Sequence, residues 1–314
     1  MSRTALTGVE INPDELIQLR LPATKLVLPG QRRSGATQGG QQHSRFRGRG
    51  MDYQESRGYQ PGDDIRTMDW RVTARTGKPH TKIYQEERER PVLLLIDCNP
   101  SMDFGSRVSL KKVVAARLAA LLAWAAIRHG DRVGAFLFGA FGHHELPPRG
   151  GRNSALRLIR ALTDWNASSA DTSTCDIATV LQNLRRVVRP GSLVFLISDF
   201  YQLSQDAERH LMLIRRHNDL VACQILDPLE QAPPPPGLYG ISDGTQLSFF
   251  NSRSAPGRQR YRQLFEARQQ QLLSLTERSA IPLLSFTTHG DLLLTLQQGL
   301  AQRRTTPSYA RAGT

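Results

Sequence analysis

Long apolar runs are missing from this 314-residue chain. No window reaches the roughly 18 uninterrupted apolar residues that a membrane-crossing helix needs. The nearest stretch, "VVAARLAALLAWAAI" (113–127), is too short and carries Arg117, so it reads as a buried helix. The opening "MSRTALTGVEINPDEL" lacks the apolar region of a signal peptide, and the expected location is the cytoplasm. Cysteine is scarce: Cys98, Cys175 and Cys223 form no CxxC pair and cannot all pair with one another, which predicts reduced thiols. Acidic residues are outnumbered, 28 against 41 Lys and Arg, and the net charge of +13 favours an acidic partner such as nucleic acid, anionic lipid or an acidic protein. Much of that charge is scattered arginine, not a basic block interleaved with aromatics. Specific nucleic-acid recognition is therefore disfavoured against a solvated basic surface.

Catalytic signatures are absent too. There is no GxxxxGK[ST] phosphate loop and no H-E-x-x-H. His143 and His144 are adjacent but have no metal-ligand spacing to a cysteine or carboxylate. Asp63 and Asp64 precede a short helix and read as its caps, and Cys98 beside Asp97 has its ionisation disfavoured. The chain is not expected to be an enzyme.

What is present is a core. With 39% apolar residues the chain is long enough to bury one large or two modest domains. Asn12 and Pro13 can start a short helix, after which "QRRSGATQGGQQHSRFRGRG" has little to bury and predicts a flexible loop. In "RGYQPGDDIRTMDWRVTART", Ile65, Met68 and Val72 are expected on the inner face of a short helix, with Trp70 as an apolar peg. From residue 91 apolar strands alternate with helices. Strands are predicted at 91–97, "RVGAFLFG", "HHELPP", "SLVFLISDF", "LVACQILDP" and "IPLLSFTT", and helices at about 107–129, 151–163, 175–188, 203–216, 256–279 and 290–303. A hairpin, "LYGISDG" with "QLSFFN", follows a proline-rich stretch. Strands that are apolar throughout and separated by helices predict an α/β fold, a doubly wound and mainly parallel Rossmann-like sheet.

In such a sheet ligands sit outside the carboxyl ends of the strands. Three polar features fall there. Asp97, Asn99 and Ser101 leave the first strand at every second position, so an extended segment would aim all three one way. Thr174, Cys175 and Asp176 precede a helix, and Asp199 leaves another strand. Oxygen ligands with two carboxylates among them suit a hard cation such as Mg²⁺. The other reading is architectural: Ser101 and Asp97 close a turn, and Asp199 bonds the neighbouring loop.

"DCNPSM", "TCD" and "ISDF" resemble the metal-ion-dependent adhesion site of von Willebrand factor type A domains, whose first motif is D-x-S-x-S. The upstream segment is similar to the signature of the bacterial family called domain of unknown function 58. Matching positions are Arg57, Tyr59, Pro61, Gly62, Asp63, Asp64, Arg66, Asp69, Trp70, Ala74, Arg75, Lys82, Glu86 and Glu87. Asn99 stands where the motif has serine, and Cys175, a poor Mg²⁺ ligand, where the second loop usually offers threonine. The charged residues of the signature segment read as an ion-pair network.

The resemblance implies a von Willebrand type A-like fold and a noncatalytic interaction module. It also implies a MoxR-type AAA+ ATPase and other von Willebrand-type proteins as partners in chaperone-like maturation or assembly of complexes. The expected organisation is an N-terminal extension (1–50), the signature segment (51–90), the α/β domain (91–303) with a hairpin insertion at 228–255, and a loose tail (304–314). The competing class is a nucleic-acid or polyanion binder using Arg32, Arg33, Arg45, Arg47 and Arg49.

Overall fold

The apolar run that ends at Asp97 lies in the middle of a sheet. The structure is a computed structural model that describes residues 8–29, 51–60, 63, 65–86, 90–139, 142–167, 174–201, 203–242 and 246–305. The chain divides into one unit of residues 1–31 with 90–314 and a second of residues 32–89. In chain order, α1 (Pro13–Gln18) belongs to the first unit, and β1 (Met51–Gly58), α2 (Trp70–Thr76) and β2 (His80–Glu86) to the second. The first unit continues with β3 (Pro91–Asp97), α3 (Lys111–Arg128), β4 (Arg132–Gly139), β5 (Gly142–Arg149), α4 (Arg152–Ala167) and α5 (Ile177–Val187). Then come β6 (Leu193–Ser198), α6 (Gln205–Arg215), β7 (Asp219–Leu226), α7 (Pro228–Gln231), β8 (Leu238–Ser242) and β9 (Leu247–Asn251). Helix α8 (Ala255–Arg278), β10 (Leu283–Thr287) and α9 (Leu292–Thr305) complete it.

Six strands form one sheet in the order β10-β7-β6-β3-β4-β5, parallel throughout except for β5, which runs antiparallel along β4. This is the doubly wound α/β sheet expected from the sequence. Alternation along β3 assigns its side chains to two layers. Val92, Leu94 and Ile96 join a core with α3, α4 and α9, whereas Leu93 and Leu95 join one with α5, α6 and α8. Both faces are covered, which is why β3 and β6 are apolar up to their carboxyl ends. Each fully buried leucine or isoleucine contributes about 1.5–3 kcal/mol.

Helix α3 is buried nearly all round, and its Arg117 needs a partner. Glu15 of α1 supplies it, accepting from the Arg117 guanidinium Nε and, at 3.2 Å, from Nη2, while Ser109 Oγ accepts at 2.9 Å. The Trp124 indole donates to the Leu16 carbonyl at 3.0 Å. Leu16, Ala23, Leu26 and Leu28 are buried in the same core. Residues 8–29 are thus built into the main unit, where they cover α3 and neutralise Arg117. Arg32, Arg33, Arg45, Arg47 and Arg49 lie outside the described residues.

In the second unit β1 and β2 pair antiparallel, with an irregularity between Tyr53 and Glu55. Asp69, not Asp63, caps α2, its Oδ1 accepting from Arg71 N and Val72 N at 3.2 Å each. Gly77, at φ 70°, ends that helix in the left-handed conformation that glycine tolerates. Trp70 is 65% exposed and Ile65 is 62% exposed, so neither is the apolar peg or inner-face residue that spacing predicts. With only seven residues, α2 buries none of its side chains, and its period has no core to report.

Candidate functional site

The cleft lies at the carboxyl ends of β3 and β6. Asp97 Oδ1 accepts from the Asn99 amide at 2.9 Å, closing a tight turn, and Pro100 opens a 3-10 turn that carries Ser101. Gly139 lets the end of β4 pass against this loop: a Cβ there would meet the Cys98 carbonyl oxygen at 2.6 Å. Asp199 follows β6 directly, and Thr174 and Cys175 precede α5, whose N-cap is Asp176. Asp97, Asn99, Ser101, Thr174, Cys175 and Asp199 all line one open cleft of about 370 Å³. The six site residues read from the sequence are thus brought together.

Their side chains are differently occupied. Asp97 Oδ2 accepts from Ser198 Oγ at 2.6 Å. Burial and the nearby Asp199 charge push the Asp97 carboxyl up to about 7, against the Ser198 and Asn99 bonds that pull it down. Asp199 Oδ1 accepts from the Tyr201 amide at 3.0 Å, and its Oδ2 accepts from Lys111 Nζ at 2.7 Å. Lys111 also reaches Glu230 Oε1 at 2.6 Å. Burial works to strip the Lys111 proton, but Asp199 and Glu230 outweigh it and hold the group above the ordinary lysine value. Phe200, between Asp199 and Tyr201, stands at φ 53°, a left-handed conformation uncommon for a bulky residue and of the kind that collects at binding loops.

The Asn99 amide faces the neighbouring loop. Its Oδ1 accepts from Cys175 N at 2.8 Å and its Nδ2 donates to Cys175 O at 3.3 Å, clasping that residue's backbone from both sides. Burial, followed by the charges of Asp176 and Asp97, pushes the Cys175 thiol up, and burial with Asp97 pushes Cys98 well above the thiol range. Neither sulfur is disposed to ionise or to bind a hard cation. Among the described residues no three His, Cys, Asp or Glu side chains converge as a metal-binding group. The oxygen donors lining the cleft include two carboxylates, Asp97 and Asp199, and the hydroxyl residues Ser101, Thr174, Ser198 and Tyr201. In kind they fit a cation that prefers oxygen.

Sequence reasoning missed Ser198, Lys111 and Glu230. Ser198 could have been found as the residue beside Asp199. Lys111 sits in "SLKK", which looks like any solvated helix start.

The signature residues lie in the second unit. Arg57 pairs with Asp63 at 2.8 Å, and Asp69, which accepts from Ser56 Oγ at 2.6 Å, is held below the usual carboxylate range chiefly by that hydroxyl and the Val72 amide. The Asp63 carboxyl is likewise lowered, first by the Gln60 amide, against the effect of burial. Tyr59 and Lys82 are half-buried, and Arg66 and Arg75 exposed. Pro61, Gly62, Asp64 and Glu87 lie outside the described residues, as does the side chain of Glu86.

Among the described residues no helix is long and apolar enough to cross a membrane. The chain is 30% identical over 258 residues to the uncharacterized protein Rv1480 of Mycobacterium tuberculosis, spanning 82% of this chain and 81% of that protein. The uncharacterized protein Mb1516 of Mycobacterium bovis matches to the same extent, 30% over 258 residues with the same shares of 82% and 81%. Among solved structures, the conserved hypothetical protein BatB from Bacteroides thetaiotaomicron aligns at 13% identity and TM-score 0.40, over 69% of this chain and all of that one. A von Willebrand factor type A protein from Catenulispora acidiphila aligns at 12% identity and TM-score 0.36, over 71% of this chain and 43% of that one. The family described as "Protein of unknown function DUF58" matches residues 55–271, and this chain belongs to it.

Proposed function

We propose that this chain is a noncatalytic protein-interaction module of the cytoplasm, whose recognition face is the cleft at the ends of β3 and β6. The observation that carries the reading is the convergence of Asp97, Ser101, Thr174 and Asp199 on that one cleft. These are the residues that would hold a divalent cation, with Mg²⁺ the natural candidate by donor chemistry. A bound cation would supply an open coordination position for a carboxylate of a partner. The chain's own part is to preset the walls: Ser198 and the Asn99 amide fix Asp97, the Tyr201 amide fixes Asp199, and Asn99 clasps Cys175. Ser101 and Thr174 then face the cleft without having to rearrange.

For the partner, the family resemblance points to a MoxR-type AAA+ ATPase and to other von Willebrand-type proteins, in the maturation or assembly of protein complexes. The test is co-purification with a MoxR-type AAA+ ATPase, with and without nucleotide, for the wild type and Asp97→Ala. A nucleotide-dependent complex that the substitution weakens at least tenfold supports the reading. A complex indifferent to Asp97 moves recognition away from the cleft, and absence of any complex removes the ATPase as partner. Calorimetric titration with Mg²⁺ on the same two proteins checks the cation separately.

A further inference from the structure

Lys111 has no role in the reading above, yet it touches the site. It opens α3, its side chain is 1% exposed, and its ammonium lies between Asp199 Oδ2 and Glu230 Oε1 at 2.7 and 2.6 Å. Both partners are themselves anchored. Asp199 takes the Tyr201 amide on its other oxygen. Glu230 takes the Asp227 amide on its other oxygen at 2.9 Å, closing the capping box of α7. The ring of Phe104 lies 6.0 Å from the Lys111 nitrogen and helps enclose it. The contrast with Lys112 is sharp: that side chain is half-buried and pairs with Asp103 near the surface. A lysine is buried to this degree only when its charge is matched.

The consequence concerns Asp199, which also faces the cleft. A divalent ion arriving there has to share a carboxylate with a positive charge that the chain already carries. We propose that Lys111 is a resident counter-cation: it keeps the cleft walls in place without metal and weakens the cleft's hold on a divalent cation. The inference rests on the reading of the cleft as a cation site. It makes metal binding conditional, since a partner carboxylate would add the negative charge that Lys111 cancels.

The experiment is a Mn²⁺ titration of wild type, Lys111→Gln and Glu230→Gln, following free Mn²⁺ by electron paramagnetic resonance, with Asp97→Ala as the control. Lys111→Gln keeps a hydrogen-bond donor but no charge, and is expected to bind Mn²⁺ at least about tenfold more tightly than wild type. Its thermal midpoint falls without metal and recovers with it, whereas the wild-type midpoint is the same with and without EDTA. Glu230→Gln leaves Lys111 to Asp199 alone, and several-fold weaker binding is expected. Equal, Asp97-dependent affinity in wild type and Lys111→Gln overturns the role of Lys111 while leaving the cation site standing. No Asp97-dependent binding in any of the three proteins removes the cation site, and this inference with it. Should Lys111→Gln not fold even with Mn²⁺, Glu230→Gln decides: affinity equal to or above wild type overturns the proposal.

Discussion

At the scale of single residues the cleft is a place where ordinary groups are kept in unusual states. Asp97 stands at about 7 instead of 3.8 because burial and Asp199 both disfavour its charge. The sign of the consequence follows from proton counting. Between pH 4 and 7 the folded chain holds a proton on Asp97 that the unfolded chain has lost, so this group's contribution to stability falls as pH rises through that window. Asp97→Asn removes the titration. The variant should gain on wild type between pH 5 and pH 8, by an amount on the order of a few kcal/mol, as measured by urea unfolding at the two pH values. A difference between the two proteins that does not change with pH counts against the shift. Lys111 and Lys112 carry the complementary lesson about reading residues from a sequence. They are chemically identical neighbours in "SLKK", and only the fold, by delivering Glu230 and Asp199 from distant segments, makes one of them a buried ion.

At the scale of elements, the strands were legible because burial on both faces writes itself as an unbroken apolar run. That is so for β3 and β6, whose polar ends marked the loops that carry the site, while β7 is interrupted by the buried Gln224. What pattern alone does not give is how two loops are fastened together. Asn99 looked like a substitute ligand and is instead a clasp between the loop after β3 and the lead-in to α5. Asn99→Ala strips partners from the Cys175 amide and carbonyl, and a loss of about 1–3 kcal/mol is expected in chemical unfolding. Amide hydrogen exchange should rise at Cys175 and at the first turn of α5, and leave β6 unchanged. Exchange unchanged at Cys175 would mean that the clasp does not hold the loop. A single asparagine that spans 76 positions of sequence leaves no periodic trace.

At the scale of the whole molecule, the segment of residues 8–29 belongs to the main unit. Its apolar residues, Ile11, Leu16, Ala23, Leu26 and Leu28, recur at no regular period, so it read as an N-terminal extension. A chain begun at residue 30 would bare α3 and leave Arg117 without Glu15. Its loss of stability should be several kcal/mol, from four or five apolar side chains at about 1.5–3 kcal/mol each. Thermal unfolding and dye binding to exposed apolar surface check this, and an unchanged midpoint would mean that the segment is dispensable.

The outer strand of the sheet has a last consequence. Strand β5 is largely exposed, carries Pro147 and Pro148 side by side, and slips register against β4 between Val133 and Ala135. Prolines offer no N–H, and a kinked rim presents no straight template on which a foreign strand could zip itself. That flank is closed to filament growth and to strand-by-strand capture.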